Sequence, residues 1–333
     1  MMRELEIERQ FDIKIEKMIP NKGIYELSTN EGKRCLKRIN YGVQKLHFIY
    51  GAKEHLIKNG FTNIDRYFLS FEDNPYAIVN EDIYTLSEWI EGRECDFQND
   101  EDIVLASKAL AKLHVASKGY EPPENSKLKT DLGRWPYLMD KRITSFSKMR
   151  NMVRKKKNRK TDFDIQYLQH MEFYKELGIK AMDTLQESQY GDICLLEEEA
   201  KGFCHHDFTY HNIIMGDNDV VNVVDFDYCK REVRVYDLAN YIIKVLKRRN
   251  WDIDLCKTII DSYNTVQHLR EEEYKVLYVF LMFPQRFWRL CNRYYYNESS
   301  WVQTTFVNKI NSLVNEQELF SKFLEDFKET YEQ

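Results

Sequence analysis

At 333 residues the chain exceeds a typical single domain, so one large two-lobed unit or two domains is expected, and either can bury a sizeable core. Hydrophobic residues at 43% and charged residues at 31% exclude a disordered chain, and a formal charge of −5 argues against a protein that coats nucleic acid, which needs a basic surface. Seven cysteines, odd in number and nowhere in a C-x-x-C pair, argue against a disulfide framework or a zinc ribbon and fit reduced thiols in a cytoplasm.

The start, MMRELEIERQF, carries no apolar signal segment, and the longest apolar run, 276–283, is too short to span a bilayer. Synthesis in the cytosol and no membrane partner are therefore expected. The triplet Asn297-Glu298-Ser299 matches a glycosylation acceptor, but without a secretion signal it carries no weight. Phe11 to Met18, Ile24 to Thr29 and Arg34 to Arg38 read as strands separated by PNKG and NEG, which hold the residues that tight turns require. From Val43 to Lys58, Leu46, Ile49, Ala52 and Leu56 recur at helical spacing and stop at Asn59-Gly60. Tyr67 to Phe71, Tyr76 to Val79 and Ile83 to Ile90 complete a mostly antiparallel sheet, and Glu91-Gly92-Arg93 marks the expected lobe boundary. Residues 1–90 would form one lobe and residues 91–333 a second, helical one.

Beyond that boundary Asp102 to His114 reads as a helix with Val104, Leu105, Ala109, Leu110 and Leu113 on its buried stripe. Two short apolar runs, Gly202 to His205 and Val220 to Asp225, interrupt the helical texture as strands, and helices resume from Asp237. Arg150 to Lys160 holds seven basic residues and reads as a solvated helix or loop rather than an acidic-ligand site. His47, His55, His170 and His268 are isolated and expected at the surface or packed, and His114 is expected to face the core. Phe287, Trp288, Tyr294, Tyr295, Tyr296 and Trp301 suit either helix packing or an aromatic cage for a quaternary ammonium, with packing the simpler account.

The chemistry concentrates in FCHHDFTYHNIIMGDNDVVNVVDFDYC, residues 203–229. Zinc would use His205, His206, His211 and Asp207, but His206 and His211 are five apart, whereas zinc-hydrolase helices place two histidines at i and i+4. A carboxylate pair for glycoside hydrolysis lacks any other sign of a sugar cleft. Phosphoryl transfer demands a carboxylate for the acceptor hydroxyl and two further oxygen ligands for magnesium. His205-x-Asp207-x-x-x-x-Asn212 has the catalytic-loop spacing H-x-D-x-x-x-x-N, and Asp225 ends the apolar run VVNVV, so Asn212 and Asp225 would sit at the mouths of adjacent strands.

HHDFTYHNIIM followed by VVDFDYC and YDLA resembles the aminoglycoside phosphotransferase and choline kinase branch of the protein-kinase-like fold. YTLSEWIEGRECD (84–96), LAKLHVASKGYEPP (110–123), LGRW (132–135) and FPQRFWRLCNRYYYN (283–297) narrow the resemblance to the CotS group of bacterial spore coat proteins, over nearly the whole chain. The resemblance implies an α+β, bilobal fold with a small antiparallel-sheet N-terminal lobe and a mainly helical C-terminal lobe. It also implies ATP and Mg2+ as cofactors, a small-molecule hydroxyl acceptor, deposition in the spore coat and other coat proteins as partners.

By the same resemblance Asp207 is the catalytic aspartate, Asn212 and Asp225 complete the catalytic set as magnesium ligands, His205 supports the loop and Asp237 is a buried brace. Lys37 in RCLKRI would hold the ATP phosphates, the turn PNKGIY would cover them, and Glu88, Trp89 and Ile90 would offer hinge backbone groups to adenine. One departure stands out: where relatives carry a helix glutamate to pair with the lysine, this chain has Ile49, Tyr50 and Gly51, and the nearest acid is Glu54. That leaves two rivals to a coat-associated kinase, a coat component with a catalytically silent kinase fold and a metabolic choline, homoserine or aminoglycoside-type kinase.

Overall fold

The computed structural model describes residues 2–296 and 302–331, so Trp301 and the Asn297-Glu298-Ser299 triplet lie outside the described residues. The chain forms two compact units: Met1–Thr130 with Ala200–Arg231 and Thr265–Gln267, and Asp131–Glu199 with Glu232–Asn264 and His268–Gln333.

The first unit opens with helix α1 (Met2–Phe11), where a strand beginning at Phe11 was expected. The helical signal is thin because, among the described side chains, Ile7 and Phe11 alone, four residues apart, turn one face into a core with Ile13, Leu27, Leu36 and Leu86. Asp12, at φ 53°, ends the helix, and the Glu8 side chain ties down the next segment by accepting from the Ile15 amide at 2.6 Å. Strands β1 (Ile15–Asn21), β2 (Ile24–Thr29) and β3 (Gly32–Ile39) follow, and the first turn contracts to Lys22 and Gly23, both at positive φ (45° and 93°). Such a two-residue turn matches the twist of the strands it joins.

Helix α2 spans Val43–Lys58 as expected, with Leu46, Ile49, Ala52 and Leu56 all buried. Strands β4 (Tyr67–Phe68), β5 (Ala77–Val79) and β6 (Asp82–Glu88) are shorter than the apolar runs that announced them. The sheet runs β1-β2-β3-β6-β4, with β5 also on β6, and its pairs are antiparallel. A short strand, β7 (Arg93–Glu94), precedes α3 (Asp100–Ala116), whose N-cap Asn99 accepts from the Glu101 amide at 2.8 Å. Its buried face runs through Ile103, Ala106, Ala109, Leu110 and Leu113, while Val104 and Leu105 are only half-buried. Asp102 causes that rotation, because it is drawn inward to a hydrogen bond with Arg93 (2.7 Å) and to the Asp96 amide (2.8 Å).

The expected strand at Gly202 to His205 is a single bridge between Cys204 and Lys230. His206, at φ 67°, ends the extension at once. Instead β8 (Ile213–Met215) and β9 (Val221–Val223) form a hairpin, joined by β7 into a three-stranded sheet. The intervening turn, with Asn218 at φ 54°, closes a short loop and so takes the pairing at low entropic cost.

The second unit is helical: α4 (Trp135–Lys155), α5 (Asp162–Gln186), α6 (Tyr190–Ala200), α7 (Val235–Leu246), α8 (Ile253–Asn264), α9 (Glu271–Met282), α10 (Gln285–Tyr296), α11 (Gln303–Asn315) and α12 (Gln317–Tyr331). One core joins Phe146 and Met149 of α4, Phe163 and Tyr167 of α5, Phe287 of α10 and Ile310 of α11. Phe287, Trp288, Tyr294 and Tyr295 of the aromatic cluster are taken up by this packing, while Tyr296 stays exposed. Tyr294 stacks on Phe163 at 4.0 Å, Phe287 on Tyr174 at 4.0 Å, and Trp288 donates to Ser145 at 2.9 Å. In the basic run, Lys156 pairs with Asp164 at 2.8 Å, while Arg154, Lys155, Lys157, Arg159 and Lys160 are exposed. Asp237 is buried in the first turn of α7.

Candidate active site

The β8-β9 hairpin supplies the geometry. Ile213 pairs with Val223, and the Val224 amide donates to the Asn212 carbonyl at 3.0 Å, so the residues flanking the paired strands, Asn212 and Asp225, are brought to one end. Asn212 is buried and turns its amide to Asp207, donating to the carboxylate at 3.2 Å and to the carbonyl at 3.0 Å. His205, fully buried, accepts from the Asp207 amide at Nδ1 (3.2 Å), which requires its other nitrogen to carry the proton and donate to the Val224 carbonyl (3.0 Å). The imidazole thereby ties the loop of Asp207 to the end of β9. With both ring nitrogens so engaged His205 is no metal ligand, and among the described residues His205, His206, His211 and Asp207 form no metal-binding group.

Asp225 sits at φ 63°, a strained value for a residue with a side chain, and is followed by the buried Phe226, whose ring lies 4.7 Å from that of His205. Turned this way, Asp225 meets Lys37 on β3. Lys37 Nζ donates to Asp225 Oδ1 at 2.8 Å and lies 2.9 Å from Asp227 Oδ2. The strand alternation explains the direction: Leu36 enters the core and Lys37 faces away from it. Burial works against the Lys37 charge, but Asp225 and then Asp227 outweigh it and raise its pKa above that of an ordinary lysine. Burial likewise favours a neutral Asp225, yet the Lys37 ammonium prevails and holds the carboxyl below the usual range. Cys35, two residues earlier, is pushed up to about 11 by burial and remains a thiol at neutral pH.

Lys37 pairs with Thr85 of β6 and Arg34 with Glu88, so Glu88 stands three residues along the same ladder, with Trp89 and Ile90 leading out of the strand. Gly92 follows at φ 148°, where a Cβ would lie 2.5 Å from the Met215 carbonyl. Only glycine permits that crossing.

Helix α2 brings no carboxylate to Lys37. Ile49 is in the core, a Cβ larger than hydrogen at Gly51 would meet Tyr120 Oη at 2.7 Å, and Glu54 is spent on Arg66 at 2.7 Å. The helix buries a charge of opposite sign: Lys53 pairs with Asp65 at 2.9 Å, and its ammonium lies 3.8 Å from the centre of the Tyr67 ring. Burial raises the Asp65 carboxyl and Lys53 opposes that rise. The signal for Lys53 was a lysine one turn beyond Ile49 in an otherwise apolar stripe. Asp227 and its partner Tyr41, which donates to Asp227 Oδ1 at 2.7 Å, also went unassigned.

The arrangement thus sets one ammonium against two carboxylates beside a third carboxylate steadied by a carboxamide. Residues 4–327 match the family model described as spore coat putative kinase YutH. The chain belongs to that family. Spore coat protein S of Bacillus subtilis (strain 168) is 25% identical over 313 residues, covering 92% of this chain and 87% of that protein. Among solved structures, an aminoglycoside phosphotransferase from Alicyclobacillus acidocaldarius superposes with a TM-score of 0.85 at 20% identity, covering 100% of this chain and 97% of that one. A spectinomycin phosphotransferase in complex with ADP and spectinomycin gives 0.68 at 12% identity, covering 95% and 96%. This member of the spore coat kinase family therefore has the α+β, bilobal protein-kinase-like fold, with an antiparallel-sheet N-terminal lobe and a mostly helical remainder. Among the described residues no helix is long and apolar enough to cross a membrane.

Proposed function

We propose that this family member transfers the γ-phosphoryl group of ATP, with Mg2+, to a hydroxyl of a small molecule, and does so as a protein deposited in the spore coat after synthesis in the cytoplasm. The observation that carries the reading is the joint placement of Lys37 on Asp225 and of Asn212 on Asp207 at one end of the hairpin. Asp207 orients the acceptor hydroxyl and takes its proton as the new oxygen–phosphorus bond forms and the bond to the ADP oxygen breaks. Lys37 neutralises phosphate charge, and Glu88, Trp89 and Ile90 lend backbone groups to adenine. Residues 1–90 serve as the nucleotide lobe, the turn at Lys22 and Gly23 covers the phosphates, and helices beyond residue 91 select the acceptor.

The donor set fits magnesium. Asp225 and Asn212 offer hard oxygen ligands, and two carboxylates already converge on a single cation, the Lys37 ammonium. When bound, the ion would offset charge on the phosphates. The family membership and the likeness to Spore coat protein S support the coat assignment. The phosphotransferase with bound ADP supports the nucleotide.

A second reading has its own observation. With Ile49, Tyr50 and Gly51 where a helix acid would stand, the protein can be a coat component whose kinase fold catalyses nothing. A panel of small alcohols, amino alcohols and aminoglycosides incubated with ATP and Mg2+ separates the two. Acceptor-dependent ADP release that is lost in Asp207→Asn supports the kinase, and no release with any acceptor supports the silent fold. Fractionation of spores tests location: presence in the vegetative cytosol alone would remove the coat role and leave a metabolic kinase.

A further inference from the structure

The geometry points to Asp227, oriented by Tyr41, as the anchor that positions Lys37 in place of a helix acid. The inference rests on the reading of Lys37 as the phosphate lysine. Helix α2 has no acid to give, since its one carboxylate, Glu54, is held by Arg66. Asp225 alone cannot keep the role, because it is also the carboxylate proposed for the metal. Once a divalent cation draws on Asp225, Lys37 needs another partner.

Asp227 is built for that task. It follows Asp225 by two residues, and the intervening Phe226 is buried, which fixes both carboxylates on the side of Lys37. Its two oxygens have separate partners, Oδ1 accepting from Tyr41 (2.7 Å) and Oδ2 facing Lys37 Nζ (2.9 Å). Tyr41 lies only four residues after Lys37, so the tether is short, and the Lys45 ammonium sits 4.0 Å from the centre of the Tyr41 ring. Because the two carboxylates meet Lys37 through separate oxygens, a metal can draw on Asp225 without releasing Lys37 from Asp227.

The test is calorimetric titration of ATP, with Mg2+ and with EDTA, into the wild type, Asp227→Asn, Tyr41→Phe, Lys37→Met and the Lys37→Met/Asp227→Asn pair. Asp227→Asn is expected to weaken ATP about tenfold with Mg2+, as befits a lost charge-assisted hydrogen bond. It should cost clearly less in EDTA, where Asp225 still holds Lys37. Tyr41→Phe should move affinity the same way by a smaller factor. In the Lys37→Met background Asp227→Asn should cost nothing more. An equal loss there would make Asp227 a metal ligand and overturn the anchor, as would an unchanged affinity in Asp227→Asn. If the wild type binds no ATP, the phosphotransfer reading fails while the anchor is still read from melting temperatures without nucleotide. There the paired variant should lose less than the sum of the single losses, and simple additivity would overturn it.

Discussion

In the first unit one ammonium, Lys37, faces two carboxylates, with side chains 26% exposed for Lys37, 35% for Asp225 and 16% for Asp227. In the second, Arg234 grips Glu273 at two points, 2.8 and 2.6 Å, and donates to the His268 carbonyl at 2.7 Å, with the glutamate wholly buried. Burial opposes the charge on both partners of the second cluster, and each restores the other: Glu273 falls below its ordinary pKa and Arg234 rises above its own. Glu197 lies 3.9 Å from the same guanidinium and Arg270 3.3 Å from Glu273, so the second cluster is a network of charges built around a buried pair, which makes it a brace. The first is partly reachable by solvent and includes Asp225 at a positive φ, as the proposed nucleotide-metal site would need. Access to solvent, more than the mere presence of buried ions, separates the candidate site from the strut.

The comparison can be broken most sharply at Asp207. Asp207→Asn should lower turnover by about 10² to 10⁴, the usual worth of a general base, while ATP affinity stays within a few-fold. Turnover equal to wild type on an identified acceptor would remove Asp207 from the chemistry. Next in size, Glu273→Ala should destabilise the protein by about 3–5 kcal/mol, since it removes the two-point partner of a buried guanidinium and leaves only Glu197 at 3.9 Å to offset its charge. Asp225→Asn, by contrast, leaves Lys37 paired with Asp227 and should change stability by no more than about 1 kcal/mol. Equal losses in chemical denaturation would erase the distinction between site and brace.

The smallest effect concerns acid. Asp225 has a folded pKa below its unfolded value, so its contribution is present above the unfolded pKa of about 4 and lost as pH falls through the folded one. The stability gap between wild type and Asp225→Asn should therefore be constant from neutral pH to about 5 and close below about 4. A gap that widened on acidification would mean that Lys37 does not govern Asp225.

Much of the candidate site's arrangement was legible because it is local. Asp207, Asn212 and Asp225 lie within one hairpin and its lead-in, so their spacing alone brings them to one end, and α2 could be bounded at Val43 and Lys58 by a strong apolar stripe and an Asn-Gly stop. Lys37 was singled out by the family resemblance, and on β3 it faces away from the core that Leu36 enters, as strand alternation requires. The failures are long-range or weakly apolar. Among its described side chains helix α1 turns Ile7 and Phe11 alone into the core, too few to show a period. Cys204 has an extended look but finds one bridge, because the nearby hairpin claims the pairing. The links of Tyr41 to Asp227 and of Lys53 to Asp65 depend on how strands and helix meet, which no single-segment pattern encodes.

The central claim, a magnesium-nucleotide site built on Lys37, Asn212 and Asp225, is tested most directly by calorimetric titration of ATP with its effect on melting. A ligand that binds only the folded chain at one hundred times its dissociation constant adds about 2.7 kcal/mol, enough to raise the melting temperature by several degrees in a chain of this size. The account expects binding heat and that rise with ATP and Mg2+, with both reduced in EDTA, and expects Lys37→Ala to weaken binding with or without the metal. Millimolar ATP and Mg2+ producing neither heat nor a shift in the wild type would contradict it, and the Lys37 cluster would then belong to a coat protein whose kinase fold is silent.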